Sequence, residues 1–347
     1  NPALPWGSIL KFQLDLDNLE LKGIGYHVPD QVITNDDLST LMDTSDDWIK
    51  ARSGIEERRW VQKDEATSHL AIKASKQAID MASIDPKDID LVVVATISSD
   101  YFFPGVSQQL QVELGLRQVA AFDLKAACSG FVYSLSVADQ FIRSGMYRTV
   151  LVVGAEAQTK FMNKSTSGRD IAVLFGDGGG AAILKAEQGD SGILSTHLYC
   201  DGTDMKSLWM EAPGSFASNQ INIKNIQKYP ERYEPYMNGR DVFKNAVARF
   251  PEVIQEAMDK NNLNIDDIKL IIPHQANLRI IQAIAKRMNI SMEKIYSNIQ
   301  KYGNTTAASI PIALCEAYNE GKIQKGDYII LAAFGAGYTW ASAAIRW

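Results

Sequence analysis

Residues 71–97 read AIKASKQAIDMASIDPKDIDLVVVATI, and residues 246–274 read AVARFPEVIQEAMDKNNLNIDDIKLIIPH. Each stretch opens with apolar residues at i, i+3, i+4, as on one face of a helix, and passes through a turn rich in Asp and Asn. Each then ends in a short apolar run. The runs LVVVAT and LIIPH are unbroken rather than alternating, the pattern of strands covered on both faces. Superposing Leu91 on Leu270 sets an offset of 179 residues (270 − 91), and the same offset lays Val150 on Ile329. Those two residues lie in further apolar strands, RTVLVVGAE and GDYIILAAFGAG. Between these blocks each half carries a second helix, VSQQLQVELGL or LRIIQAIAKRMNI. A short strand then runs through a small-residue turn into another helix, in AFDLKAACSGFVYSLSVADQFIRSG and in IYSNIQKYGNTTAASIPIALCEAYNEG. Four blocks repeated in one order predict an α/β fold. Its two pseudo-equivalent halves pack together and span 17–187 and 188–347, with residues 1–16 set aside as a cloning remnant or a flexible N-terminal extension.

The composition is that of an ordinary globular protein. Of 347 residues, 46% are apolar and 22% charged, which excludes wholesale disorder, collagen and a bare coiled coil. A chain of this length buries about three quarters of its unfolded surface and needs no disulfide or metal staple. Lys and Arg number 35 against 41 Asp and Glu, a net charge of −6, which argues against nucleic acid as a partner. The three cysteines, at 128, 200 and 315, form no C-x-x-C and no even framework, so reduced thiols in the cytoplasm are expected. No apolar run approaches the ~18 residues of a membrane span, and the N-terminus lacks the basic and apolar regions of a signal peptide.

In a duplicated α/β fold, ligands bind beyond the carboxyl ends of strands, where loops enter helix N-termini. Cys128 stands at such a place, in AACSGF, where the helix dipole favours a thiolate. Cys200 and Cys315 read as buried core thiols. Of four histidines, His27, His69 and His197 have adequate structural readings, in a turn, near a helix start and within a strand. His274 ends a buried strand in IIPHQANLRII, where a polar PHQAN segment suits a site better than a core. Asn304, in KYGNTTAAS, occupies the turn that matches the Cys128 turn. His274 and Asn304 together supply two neutral donors for an oxyanion. FGDGGGAAIL (175–184) lacks the ending of a phosphate loop and reads as a tight turn between strands. No His, Cys, Asp and Glu set has metal-ligand spacing, so neither a metal nor a cofactor is expected.

AACSGF, PHQAN, YGNTTAAS and FGAGYTW, together with DTSDDWIKARSGIEERRW (43–60), resemble the β-ketoacyl-acyl-carrier-protein synthase III family of thiolase-like condensing enzymes. The likeness runs from about Leu21 to Trp347. It implies a layered αβαβα fold, a homodimer and a Cys–His–Asn triad of Cys128, His274 and Asn304. Cys128 would accept the acyl group of an acyl-CoA. His274 and Asn304 would hold the thioester carbonyl of malonyl-acyl-carrier protein while CO2 leaves, and the enolate would attack the acyl group to start fatty-acid synthesis. The backbone N–H groups of Cys128 and Ala336 would hold the second oxyanion. By the same resemblance Trp48 and Arg169 sandwich the adenine of CoA, Arg52 lies near its phosphates, and Gly239 and Asn277 line the pantetheine arm. Phe243 lines the acyl pocket, Phe103 from the partner subunit closes it, and Lys244 and Arg279 dock the acidic carrier protein.

The sequence departs from the family pattern in two places. The stretch 203–238 is about a dozen residues longer than usual, and Ala336 replaces a glycine, a harmless change if only its N–H is used. Two other readings compete. Sister condensing enzymes that make quinolones, polyketides or acyl esters share the triad. A papain-like thiol hydrolase matches the Cys-to-His spacing but leaves the duplication unexplained.

Overall fold

A computed structural model describes residues 18–187, 189–216 and 222–347; the extension expected over 1–16 lies outside the described residues. Two sheets carry the fold. The first, in spatial order, contains Asn18–His27, Gly178–Glu187, Thr149–Glu156, Leu91–Ala95 and Ala120–Leu124. The second contains Ile268–Pro273, Tyr328–Gly335, Thr339–Arg346 and Gly192–Cys200. Between them lie the helices Gly130–Arg143 and Ser309–Asn319, while Thr67–Ala82 covers the outside of the first sheet and Gly239–Lys260 the outside of the second. This is the layered αβαβα, thiolase-type arrangement.

The apolar runs are continuous because both faces of each central strand are covered. In Thr149–Glu156, Val150 and Val152 face the middle layer with Leu135 and Leu314, whereas Leu151 and Val153 face Ala71, Ala74 and Ala78 of the outer helix. In Tyr328–Gly335, Ile329 and Leu331 join the middle core and Ile330 and Ala332 join Phe250 and Ile254 outside.

The internal repeat holds at the level of register. Leu91 pairs with Val150 in parallel in one half, and Leu270 pairs with Ile329 in parallel in the other. It holds also at the turns. Ala127 and Thr306 both adopt a left-handed backbone, with φ of 46° and 49°. Each opens a 3-10 turn, Ala127–Ser129 or Thr306–Ala308, that leads into the helix starting at Gly130 or Ser309. Residue for residue, therefore, the equivalent of Cys128 is Ala307; the turns match, but Asn304 lies three residues earlier in its turn. The halves differ in one strand. Ala120–Leu124 has as its counterpart a single bridge between Ile271 and Ile295. Beyond it the Gln275 side chain takes over the pairing, donating to Tyr296 O at 3.2 Å and accepting from Asn298 N–H at 3.0 Å.

FGDGGG is not a turn between strands. Gly178, Gly179 and Gly180 begin the strand Gly178–Glu187 and pair with the Asn18–His27 strand. Their bareness lets helices approach on both faces: a Cβ on Gly179 would lie 2.8 Å from Leu70 O, and one on Gly180 2.6 Å from Pro311 Cβ.

Among the described residues, no helix is long and apolar enough to cross a membrane.

The Thr306–Ala308 turn rests on the strand Thr149–Glu156 where Gly154 faces Ala307, and a Cβ on Gly154 would lie 2.3 Å from the Ala307 carbonyl oxygen. Gly154→Ala should lower stability by ~1–3 kcal/mol through overpacking, read as a fall in melting temperature. Gly202→Ala, where a Cβ meets nothing within 4 Å, should stay within ~0.5 kcal/mol of the parent. Equal melting temperatures for the two variants would refute the close contact.

Candidate active site

Cys128 sits at the end of the path from strand Ala120–Leu124 into the middle helix, and it is buried. The turn rests against Gly335, where a Cβ would stand 2.9 Å from Cys128 N. Ser129 Oγ donates to Thr339 O at 3.1 Å, tying the turn to the second sheet. Burial and the negative charge of Glu156 push the thiol up to about 12. The backbone N–H groups of Cys128 and Ala336 act on the sulfur in the opposite sense and do not prevail. Burial thus outweighs the two backbone donors and favours the neutral thiol. The turn does aim two backbone donors at one spot, and for this Ala336 needs only its N–H.

His274 follows directly after strand Ile268–Pro273, and its N–H donates to Ala332 O at 2.7 Å, prolonging the parallel ladder. The imidazole is buried, which pushes its pKa down to about 3, so it is neutral. Nδ1 lies 2.6 Å from Ser309 Oγ.

Asn304 is held between strands. Its N–H donates to Leu174 O at 2.8 Å, and its carbonyl accepts from Gly176 N–H at 3.0 Å and Gln158 Nε2 at 3.3 Å. Its side-chain Oδ1 accepts from Thr306 N–H at 2.9 Å. With the oxygen so engaged, the Nδ2 amide is the end left to donate. The same turn reaches His274 and the segment that carries Cys128. Ala307 faces Gly130, where a Cβ would lie 3.6 Å from the Ala307 methyl, and Ser309 reaches His274. The structure thus draws together the Cys128, His274 and Asn304 segments at the carboxyl ends of strands from both halves.

The residues expected to hold CoA also assemble. Trp48 has the Arg52 guanidinium 4.3 Å and the Arg169 guanidinium 5.1 Å from its ring centre. Arg169 is held by the carbonyl and carboxylate of Asp43. Asn277 caps the helix Leu278–Met288 and donates to Arg52 O at 3.0 Å. Gly239 opens the helix Gly239–Lys260, and a Cβ there would meet nothing closer than Met237 Cε at 3.9 Å. Beside it Phe243 lies under Arg279, 5.9 Å from ring to guanidinium, with Lys244 exposed next in the chain. The long 203–238 segment folds as a strand pair, Leu208–Trp209 with Tyr236–Met237, and a helix, Ile223–Lys228; residues 217–221 lie outside the described residues.

In the single chain Phe103 is 79% exposed and meets the ring of Phe102. One expectation about the thiols changes. Cys200 is exposed rather than core, because it ends the strand Gly192–Cys200, whereas Cys315 is buried. His69 accepts the Ala66 N–H at a helix start, and His197 lies 3.0 Å from Ser195 Oγ and 3.5 Å from Glu256. Among the described residues no three His, Cys, Asp or Glu side chains form a metal site. Three residues of the site were not anticipated. Ser309 contacts His274. Gln158 donates to Asn304 O and, at 2.5 Å, to Thr306 Oγ1. Glu156, fully buried, accepts from Thr96, Ile97 and Ser98, and burial pushes its carboxyl up to about 7. In the sequence Ser309 reads as one more small residue of TTAAS, and no pattern marks the other two.

Comparison with known proteins gives one consistent result. Residues 258–347 match the family described as 3-oxoacyl-[acyl-carrier-protein] synthase III C terminal, and residues 122–202 match 3-oxoacyl-[acyl-carrier-protein] synthase III. A β-ketoacyl-[acyl-carrier-protein] synthase III of Caldanaerobacter subterraneus subsp. tengcongensis is 46% identical over 327 residues, covering 94% of this chain and 96% of that protein. The crystal structure of 3-oxoacyl-[acyl-carrier-protein] synthase III from Aquifex aeolicus superposes with a TM-score of 0.87 at 40% identity, covering 95% of this chain and 100% of that one. The corresponding structure from Thermus thermophilus gives 0.87 at 41% identity, covering 94% and 99%.

With its thiol near 12, Cys128 in the free protein should react with iodoacetamide about tenfold faster per pH unit from 7 to 10, since only the thiolate attacks. Mass spectrometry of the Cys128 peptide follows the rate. A plateau below pH 9 would mean that the backbone donors overcome burial.

Proposed function

The chain belongs to the β-ketoacyl-[acyl-carrier-protein] synthase III family, and we propose that it joins an acyl-CoA primer to malonyl-acyl-carrier protein by decarboxylative Claisen condensation. CO2 and CoA leave, and the 3-oxoacyl-carrier protein that forms opens fatty-acid synthesis. The observation that carries this reading is that the turn of a buried thiol packs against the turn that follows Asn304 and reaches His274, which brings two donor pairs into one region. One pair is the backbone N–H of Cys128 and Ala336; the other is a neutral imidazole and an amide whose oxygen is already occupied.

Each pair suits one half of the reaction. In the first half the Cys128 sulfur attacks the acyl thioester, the two backbone N–H groups hold the carbonyl oxygen, and CoA departs with the proton that the thiol gives up. The high thiol pKa means that this proton is lost only as the carbonyl oxygen takes up negative charge beside the donors. In the second half the malonyl thioester oxygen lies between His274 and Asn304, the carbon–carboxylate bond breaks, and the enolate left behind is held by their N–H groups. Its carbon attacks the acyl carbonyl, and Cys128 is expelled as a thiolate. That thiolate takes up one proton from solvent, which balances the proton consumed by decarboxylation.

The rest of the assignment follows from the same membership. Trp48 and Arg169 would open to take the adenine, with Arg52 near the phosphates and Gly239 and Asn277 along the pantetheine arm. Phe243 would line the acyl pocket. Lys244 and Arg279 would meet the acidic carrier protein, where opposite charge speeds encounter. The chain would act as a homodimer, since exposed Tyr101, Phe102 and Phe103 form an apolar loop that a second copy could cover. It would use no cofactor, and three free cysteines support a cytoplasmic place.

Incubation with acetyl-CoA and malonyl-carrier protein tests the reading. Cys128→Ser should abolish both acyl loading, read by intact mass, and condensation, because a serine hydroxyl is a weak nucleophile without an adjacent base. His274→Ala and Asn304→Ala should each slow CO2 release by ~10²–10³ and leave acyl loading largely intact. Acyl mass on Cys200 or Cys315 of the wild type, or equal loss of both steps in the two donor variants, would sink the assignment.

Phe103→Ala checks the dimer reading separately. Removing a ring that caps the partner's pocket should shift preference towards longer or branched primers, each further buried CH2 being worth ~0.8 kcal/mol. Malonyl decarboxylation should change little. An unchanged chain-length profile in a dimeric variant would dismiss the cap.

A further inference from the structure

We infer that Ser309 is a positioning residue that fixes the tautomer of His274, leaving the proton on Nε2 so that the imidazole can act as a donor. The inference rests on the condensation reading for its kinetic consequence, but its structural content stands alone. Ser309 Oγ is buried at the first position of the helix Ser309–Asn319. Among the described residues it has two hydrogen-bond partners, His274 Nδ1 at 2.6 Å and Gln275 N–H at 3.3 Å. The second contact has only one polarity, since a backbone N–H can only donate; it occupies a lone pair of Oγ and leaves the hydroxyl hydrogen to be placed.

The two arrangements of the 2.6 Å contact are not equivalent. If Nδ1 carried the proton and donated to Oγ, the serine would accept twice and its own hydrogen would have no acceptor. Among the described residues no carbonyl, that of Thr305 one turn back included, accepts a hydrogen bond from this hydroxyl. A buried donor left unmade costs ~1–3 kcal/mol. If Oγ–H donates to Nδ1 instead, the hydroxyl hydrogen and the Gln275 N–H both have acceptors, and the ring hydrogen is left for the substrate. A neutral imidazole has one donor and one acceptor nitrogen, and burial keeps this imidazole neutral. An accepting Nδ1 therefore obliges Nε2 to hold the hydrogen. The opposite tautomer would present a lone pair to the developing enolate oxygen, turning one of the two attractions into a repulsion. The chain from Gln275 N–H through the Ser309 hydroxyl to the imidazole sets the polarity of the site without touching the substrate.

The placement adds a second consequence. At the offset of 179 the equivalent of Ser309 is Gly130, the residue that opens the helix after Cys128. The hydroxyl thus exists only in the half that carries the donors.

Ser309→Ala and Ser309→Thr are compared with the parent by three readouts: acyl loading of Cys128 by intact mass, CO2 release from malonyl-carrier protein, and 15N NMR of protein labelled in histidine. The His274 signals are identified by their loss in a His274→Gln variant. The parent should show the ring proton on Nε2. Ser309→Ala should shift it towards Nδ1 and slow CO2 release by roughly 10–100-fold, with acyl loading within about twofold. Ser309→Thr, which keeps a hydroxyl, should restore both the tautomer and most of the rate. A parent protonated on Nδ1 overturns the inference, and so does a tautomer unchanged by Ser309→Ala. Loading and CO2 release falling in parallel in Ser309→Ala would likewise overturn it, marking a merely structural role. If the parent releases no CO2 from malonyl-carrier protein, the condensation reading fails, while the NMR comparison still decides the role of Ser309.

Discussion

Everything in the site hangs on the contact between the Thr306–Ala308 turn and a bare stretch of strand at the centre of the molecule. Gly154 carries no Cβ, and only this lets the turn lie against the strand Thr149–Glu156. Strand register then does the rest. Because Leu91 pairs with Val150 as Leu270 pairs with Ile329, the two middle helices begin at corresponding heights and their N-terminal turns are forced to face each other. On its far side Gly303, next to Asn304, lies beside Arg58, 3.4 Å from Arg58 Cβ to where a Gly303 Cβ would stand; Arg58 is wholly buried and donates to Asn35 Oδ1 and to the carbonyls of Ile33 and Val173. A shift of about an ångström in either turn would misdirect a donor, a displacement of the size that costs catalysis orders of magnitude.

Burial is the second organising force, and it acts against charge throughout. It neutralises His274, raises the Cys128 thiol and raises the Glu156 carboxyl. The same dryness strengthens every fixed dipole, so donors that would be unremarkable in water become effective stabilisers of a transient oxyanion. The site is therefore quiet at rest, with its acceptor atoms engaged and its donors kept for an incoming thioester oxygen.

What the sequence made legible follows from this physics. Strands covered on both faces must be continuously apolar, so LVVVAT and its partner at 179 residues betrayed both the fold and the duplication. Cys128, His274 and Asn304 stood out because polar or reactive residues at strand ends are poor packing material. FGDGGG was misread because the reason for its glycines lies in Leu70 and Pro311, on helices far away in sequence. The thiolate expected at Cys128 was overruled by desolvation, a property of the assembled interior and not of the turn. Ser309, Gln158 and Glu156 were invisible because serine, glutamine and glutamate in such settings are commonplace; only tertiary proximity gives them a role. The exposure of Cys200 was hidden for the same reason.

The matched turns carry a stoichiometric consequence. A scaffold built twice offers the nucleophile's position twice, yet the second copy holds Ala307, buried with only a methyl group, facing Gly130. With a methyl in place of a thiol, the second turn has no nucleophile to offer. A molecule of two-fold architecture therefore carries a one-fold chemistry: a single acyl group per chain, with one half supplying the atom that bonds and the other the hydrogens that steer it.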